Sequence, residues 1–207
     1  TQDGIVDILS GCYWSDDADA AHIMLLAGEG TNDFAEAEPL LTVAGVPLTN
    51  VKHVKTSDDE YEWRNICSHQ CAIYYDNDGD LDLITGCIGS EFFFVENTGS
   101  GGQPALADVP EQLDLQVPGG HPGPHLADWD GDGALHLLSG SGHGGAYLAE
   151  NVGTREKPQW EPFKELVPPS NIYEQSTDDG GQIVPANSTR VWTYDWNGDG
   201  SQDSGEE

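Results

Sequence analysis

Alternating carboxylates on glycine-rich turns are the feature of this chain best equipped for chemistry. One turn reads Asp76-Asn77-Asp78-Gly79-Asp80-Leu81-Asp82 and a second Asp128-Trp129-Asp130-Gly131-Asp132-Gly133. A third, Asp195-Trp196-Asn197-Gly198-Asp199-Gly200, runs on to Asp203, and a fourth opens the chain without its head, from Asp3-Gly4 to Asp7. Carboxylates at alternate positions of a tight turn converge their oxygens on one point, and glycine supplies the backbone freedom the turn needs. Hard Ca²⁺ takes roughly six to eight oxygen ligands of this type. The expected calcium ligands are Asp76, Asp78 and Asp82 with the carbonyl of Asp80; Asp128, Asp130 and Asp132; Asp195, Asn197, Asp199 and Asp203; and Asp3 with Asp7. The ion's expected role is structural: it neutralises clustered carboxylates and stiffens the turn. The plainer alternative is a set of solvated acidic turns. It weighs most at the Asp128 turn, where His136 replaces the last carboxylate.

The EF-hand loop is the competing calcium motif, and it requires Glu at its twelfth position between two helices. Counted from Asp76 that position is Cys87, and from Asp128 it is Ser139. Counted from Asp195 it is Glu206, but the preceding Arg190-Val191-Trp192-Thr193-Tyr194 reads as a strand.

A second constellation uses softer ligands. Cys67 and Cys71 precede the second acidic turn, and His121 and His125 stand at the same offsets before the third-listed carboxylate set of Asp128. On extended strands residues i and i+4 share a face, so these four could converge on Zn²⁺ or copper. Disulfides are the simpler use of Cys12, Cys67, Cys71 and Cys87, and four cysteines allow three connectivities. No nucleophile elbow, His-Glu-x-x-His or phosphate-binding glycine loop occurs, so no catalytic residue is assigned.

The elements that position these residues repeat. Asp7, Asp82 and His136 fall at one equivalent position when the motifs are aligned on their closing glycines, and Asp203 matches from the start of its copy. Asn97 lies 15 residues after Asp82 and Asn151 lies 15 after His136, each within Glu-Asn-x-Gly, and Pro104 and Pro158 each follow 7 later. The first copy is looser, with an insertion expected around Gly28 to Lys55 and no matching Asn. Each repeat reads as an acidic turn, an alternating strand (Leu81 to Ile84), a short glycine turn and an aromatic strand (Phe92 to Val95; Ala146 to Ala149). A proline-bearing stretch with a further strand follows (Ala105 to Leu115; Trp160 to Val167). The fold class expected is all-β: a β-propeller of four-stranded blades, with about three blades plus half-motifs at both ends. Residues 1–207 read as a single region, with repeats starting near 1, 74, 128 and 195.

Composition narrows the partners. Seven Lys and Arg stand against 37 Asp and Glu, a formal net charge of −30, which excludes direct nucleic-acid binding and argues against anionic membranes. No apolar run reaches the ~18–20 residues of a membrane helix. Opening at Thr1, the chain is expected to be a processed product or a piece of a longer one. High acidity and an even cysteine count suit an exported protein, extracellular or periplasmic.

These motifs resemble the FG-GAP/VCBS repeat family, whose pattern is Asp-x-Asp-Gly-Asp-Gly-x-x-Asp-Leu-x-x-Gly followed by Glu-Asn-x-Gly. The versions at Trp129 and Trp196, with Glu150 to Thr154, look most like those of large exported bacterial proteins. The resemblance implies a calcium-binding β-propeller, as in integrin α-chain heads. This chain departs from the pattern at Tyr74, at His136, in the degraded Ser204-Gly205-Glu206-Glu207 end, and in the missing head of the first motif. Family members serve as adhesion modules, lectins and appendages of carbohydrate-active enzymes. Two functions are therefore expected as alternatives. One is an exported, non-catalytic, calcium-stabilised module binding glycan or protein. The other is the propeller part of an exported carbohydrate-active or transition-metal-dependent enzyme. Self-association to close the ring is a further expectation, since an open stack leaves strand edges bare.

Overall fold

The computed structural model describes residues 4–11, 22–49, 51–54, 61–64, 68–76, 78–99, 103–169, 189–194 and 203–204, with the backbone alone at 51–54, 61–64 and 203–204. Its elements are all strands. In chain order they are β1 (Ile8–Ser10), β2 (Met24–Leu26), β3 (Gly28–Gly30), β4 (Asp33–Phe34), β5 (Glu38–Pro39), β6 (Val51–Val54), β7 (Tyr61–Arg64), β8 (His69–Ile73) and β9 (Asp82–Gly86). There follow β10 (Glu91–Val95), β11 (Glu111–Gln116), β12 (Gly123–Ala127), β13 (His136–Gly140), β14 (Ala146–Ala149), β15 (Lys164–Val167), β16 (Thr193–Tyr194) and β17 (Asp203–Ser204).

Two sheets have four strands, in the orders β11-β10-β9-β8 and β12-β13-β14-β15. In both, spatial order follows chain order, the arrangement that short connections between antiparallel neighbours produce. A three-stranded sheet orders β1-β2-β5, and β3-β4, β6-β7 and β16-β17 pair as two-stranded ribbons. The acidic turns join the first strand of a sheet to the second. Their closing registers coincide: Ile73 faces Asp82, Ala127 faces His136, and Tyr194 faces Asp203. The repeat seen in the sequence is thus a repeat of hairpins.

The proline-bearing strands start later than the apolar pattern predicts. β11 begins at Glu111, directly after Pro110, and β15 at Lys164, just past Pro162. Proline has no N–H to give a ladder, so the residues before it make only isolated bridges, Asn97 to Leu106 and Asn151 to Trp160.

The chain forms two compact units, Thr1–Ile88 with Phe93–Leu113, and Gly89–Phe92 with Asp114–Glu207. In the first unit Ile23, Leu40, Leu48, Leu83, Val95 and Leu106 form the core, with Leu9, Leu25 and Ala107 against it. Burying each such aliphatic side chain contributes about 1.5–3 kcal/mol. In the second unit Ala127, Leu138 and Leu148 pack with Trp129, Leu166 and Val191.

The central strands are buried on both faces. Every residue of β9 and of β13 is buried, so the apolar–polar alternation read as a half-exposed strand marks something else. The polar residues serve neighbouring backbone. Thr85 Oγ1 donates to the Phe93 carbonyl at 3.5 Å. Ser139 Oγ donates to the Gly140 carbonyl at 2.7 Å and accepts the Gly123 N–H at 3.1 Å.

The closing glycines have a steric cause. A Cβ at Gly140 would stand 2.1 Å from the Thr189 carbonyl oxygen, and one at Gly11 would stand 2.1 Å from that of Ser68. In each unit the stretch leading into a later strand, β8 or β16, lies directly on the glycine that ends an earlier repeat motif. Thr189 is fixed there by its N–H to the Ser141 carbonyl at 3.0 Å and by its Oγ1 to the Gly145 carbonyl at 2.5 Å.

Candidate metal centres

The Asp76 turn is built from successive side-chain-to-backbone closures. Asp76 Oδ1 accepts the Asp78 N–H at 3.0 Å, and Asp78 Oδ1 accepts the Asp80 N–H at 3.0 Å. Gly79 takes φ of 107°, a left-handed conformation that side chains other than glycine rarely adopt. Asp80 is buried, and its Oδ1 has no hydrogen-bond partner. Burial first, then Asp78, Asp76 and Glu96, hold its carboxyl above the usual range.

Asp82 is wholly enclosed. Its Oδ1 accepts the Asn97 N–H at 2.9 Å and its Oδ2 the Tyr75 N–H at 3.3 Å. Burial pushes its pKa up to about 6; the two amides oppose the rise, while Asp76 and Asp80 add to it. Tyr75 is also shifted upward, by burial and by Glu111 and Asp82. Buried carboxylates crowded by like charge are costly to ionise unless a cation or hydrogen bonds compensate them.

Asn97 organises the other side of this hairpin. Its Nδ2 donates to the Leu81 carbonyl at 2.9 Å, while its Oδ1 accepts Gly99 N–H at 3.0 Å and Ala105 N–H at 2.7 Å. Asn151 repeats the pattern, accepting from Gly153 and Gln159 at 2.9 Å each and donating to the Thr154 carbonyl at 3.1 Å. The offset of 15 residues now has a cause, because the Asn amide N–H lands on the last motif side chain. Asp7 does the same with Gly28, whose N–H reaches its Oδ1 at 2.9 Å. Gly28 therefore occupies the position where the sequence offered no Asn. The extra residues before it lie in the long β1–β2 connection, not only in the expected stretch from Gly28 to Lys55.

The Asp128 turn is wound differently. Asp128 Oδ1 and Oδ2 accept the Gly131 and Gly133 N–H groups at 2.9 and 3.1 Å. Asp130 Oδ1 accepts Asp132 N–H at 3.3 Å, and Asp132 Oδ1 accepts Ala134 N–H at 2.7 Å. His136 is buried, with Nδ1 accepting the Asn151 N–H at 3.3 Å and Nε2 lying 3.3 Å from Asp130 Oδ1. That second contact lacks hydrogen-bond geometry. Asp130, Asp132 and His136 are the one trio, among the described residues, whose ligand atoms fall within 4.8 Å of one another. The carboxylates of the Asp76 turn are not gathered that closely in the described structure.

The remaining expected ligands divide. Asp3, Asp195, Asn197 and Asp199 lie outside the described residues, and Asp203 is described only as the backbone partner of Tyr194. Cys67 lies outside as well, as does Cys12, which removes most of the expected disulfide pairings from view. Cys71 sits in β8, opposite Ile84. His121 has φ of 49°, so it and His125 are not on one extended strand as the spacing suggested. His125 Nε2 lies 3.0 Å from Thr193 Oγ1, and burial lowers its pKa. No trio of metal-ligating side chains among the described residues includes Cys71, His121 or His125.

A cavity of about 790 Å³ opens in the first unit between Asp7 and Asp80, walled by Leu9, Leu25, Leu83 and Leu106. Compared with protein-family models, curated proteins and solved structures, the chain shows no match.

Proposed function

We propose that this chain is part of an exported, non-catalytic binding or adhesion module built from propeller-type blades and stabilised by calcium. The observation that carries the calcium reading is the state of the Asp76 turn. Asp80 and Asp82 are buried with Asp76 and Asp78 beside them, and Asp80 Oδ1 has no partner. Asp76, Asp78 and Asp82, with the Asp80 carbonyl, would hold the ion. Its charge would offset the repulsion that raises both buried carboxyls, and it would fix the hairpin that starts the sheet. The same role is proposed for Asp3 with Asp7, and for Asp195, Asn197, Asp199 and Asp203.

The propeller reading draws support from the two four-stranded sheets with sequential strand order and from the shared hairpin registers. Fold alone does not choose a ligand. A glycan or protein surface is favoured by Trp192 and Tyr194, alternate residues that are 82% and 71% exposed at the edge of the third acidic hairpin. No observation among the described residues favours the enzymatic alternative.

The test is metal content with thermal melting before and after EGTA, on the unaltered chain and on Asp78→Asn. Bound Ca²⁺, a clear fall in Tm on chelation, and loss of about one ion per chain in D78N are the expected results. No bound Ca²⁺ with an unchanged melt refutes the calcium reading. A glycan array and pull-downs with Trp192→Ala as control then address the ligand.

A further inference from the structure

His136 stands where Asp82 stands in the preceding repeat, and the equivalence extends to atoms. Asp82 Oδ1 takes the N–H of Asn97, and His136 Nδ1 takes the N–H of Asn151. A backbone N–H can only donate, so Nδ1 is the unprotonated nitrogen of the ring. In neutral imidazole the proton then sits on Nε2. Nε2 is the atom that faces Asp130 at 3.3 Å and lies with Asp130 and Asp132 inside one 4.8 Å group.

A metal ligand must present a lone pair, and this nitrogen presents a hydrogen. Binding an ion through Nε2 would require breaking the Nδ1 contact to Asn151 or stripping both ring protons. The His136 side chain is 4% exposed, so it cannot swing out to make room without opening the sheet. The trio has the spacing of a metal site and the wrong proton for one.

We propose that the imidazole of His136 replaces the divalent ion in this repeat, so that the turn from Asp128 to His136 is closed by a ring N–H and binds no metal. Its positive edge lies against Asp130, where the cation would lie in a repeat ending in Asp. Asp128 and Asp132 are meanwhile occupied by the Gly131, Gly133 and Ala134 amides. The chain then carries two kinds of acidic turn, one dependent on calcium and one independent of it. The inference rests on the calcium reading only for its comparison with the Asp76 turn; the ring's proton position stands apart from it.

The experiment uses the 207-residue chain labelled with ¹⁵N. Long-range ¹H–¹⁵N correlation spectra locate the ring proton of His136, assigned by its loss in His136→Gln, with and without saturating Ca²⁺ or Zn²⁺. The proton is expected on Nε2, unchanged by either metal. Metal content is measured in parallel. Asp130→Asn, a change at an exposed carboxylate, should leave bound Ca²⁺ unaltered, while His136→Asp should add about one ion per chain by restoring the carboxylate. A proton on Nδ1, loss of the Nε2 proton with Zn²⁺, loss of an ion in D130N, or no gain in a folded H136D overturns the proposal. D78N reads the calcium hypothesis separately, because its outcome depends on the other turn.

Discussion

Replacing Asn97 by Ala should destabilise the first unit without touching any metal ligand. The side chain makes three hydrogen bonds to backbone: to the Leu81 carbonyl and from the amides of Gly99 and Ala105. Asn97 is only 5% exposed, so these groups have little access to replacement water. A net value of about 1 kcal/mol per bond, with more where a donor is left buried, predicts a loss of about 3–4 kcal/mol. Thr98→Ala is the control, since its hydroxyl bond to the Ala105 carbonyl is 3.3 Å long and exposed. It should cost no more than about 0.5 kcal/mol. Equilibrium urea unfolding gives the totals, and amide exchange shows whether Gly99 and Ala105 lose protection. Asn151→Ala should act likewise on the second unit through Gly153 and Gln159. If N97A costs no more than T98A, the reading of Asn97 as the hub of its hairpin is wrong.

Two further outcomes follow from the same geometry. Folded Asp82 holds its proton more tightly than the unfolded chain does, so decalcified protein should lose stability as pH rises through about 6. This group's stabilising contribution is complete only below the ordinary carboxylate range, and its loss at neutral pH amounts to about 3 kcal/mol at most. Urea melts of the unaltered chain and Asp82→Asn between pH 4 and 7 (about the range where carboxyls titrate) should converge on the acid side and diverge above it. A pH-independent difference between the two refutes this. Gly140→Ala should destabilise the second unit by more than a surface change, because its Cβ meets the Thr189 backbone at 2.1 Å. Protection of the Thr189 amide against exchange should fall, whereas Gly131→Ala, with open space around it, should show only the cost of its left-handed turn. Equal effects on Thr189 in both variants would count against the close approach.

The repeat was legible in the sequence because hairpins of one register demand turns of one length and glycines at fixed points. The positions of Asp7, Asp82 and His136, the offset of 15 to each Asn, and the all-β character needed no coordinates. What the offset meant was not legible. An amide and a carboxylate 15 residues apart meet only once β9 and β10 pair, and sequence carries no sign that the Asn side chain then turns back on its own hairpin. Burial of β9 and β13 on both faces was likewise hidden, since alternating polar residues look the same whether they meet water or neighbouring backbone. The steric need for Gly11 and Gly140 appears only when a distant segment lies on them.

The acidic turns show the same division most sharply. By itself the sequence determined that carboxylates are clustered on turns able to take a cation, and that one turn had exchanged its last Asp for His. Tertiary structure decided which nitrogen of that His is left to face the cluster. The choice is made by the Asn151 amide, brought to Nδ1 by strand pairing, because a hydrogen-bond donor on one side of an imidazole fixes the proton on the other.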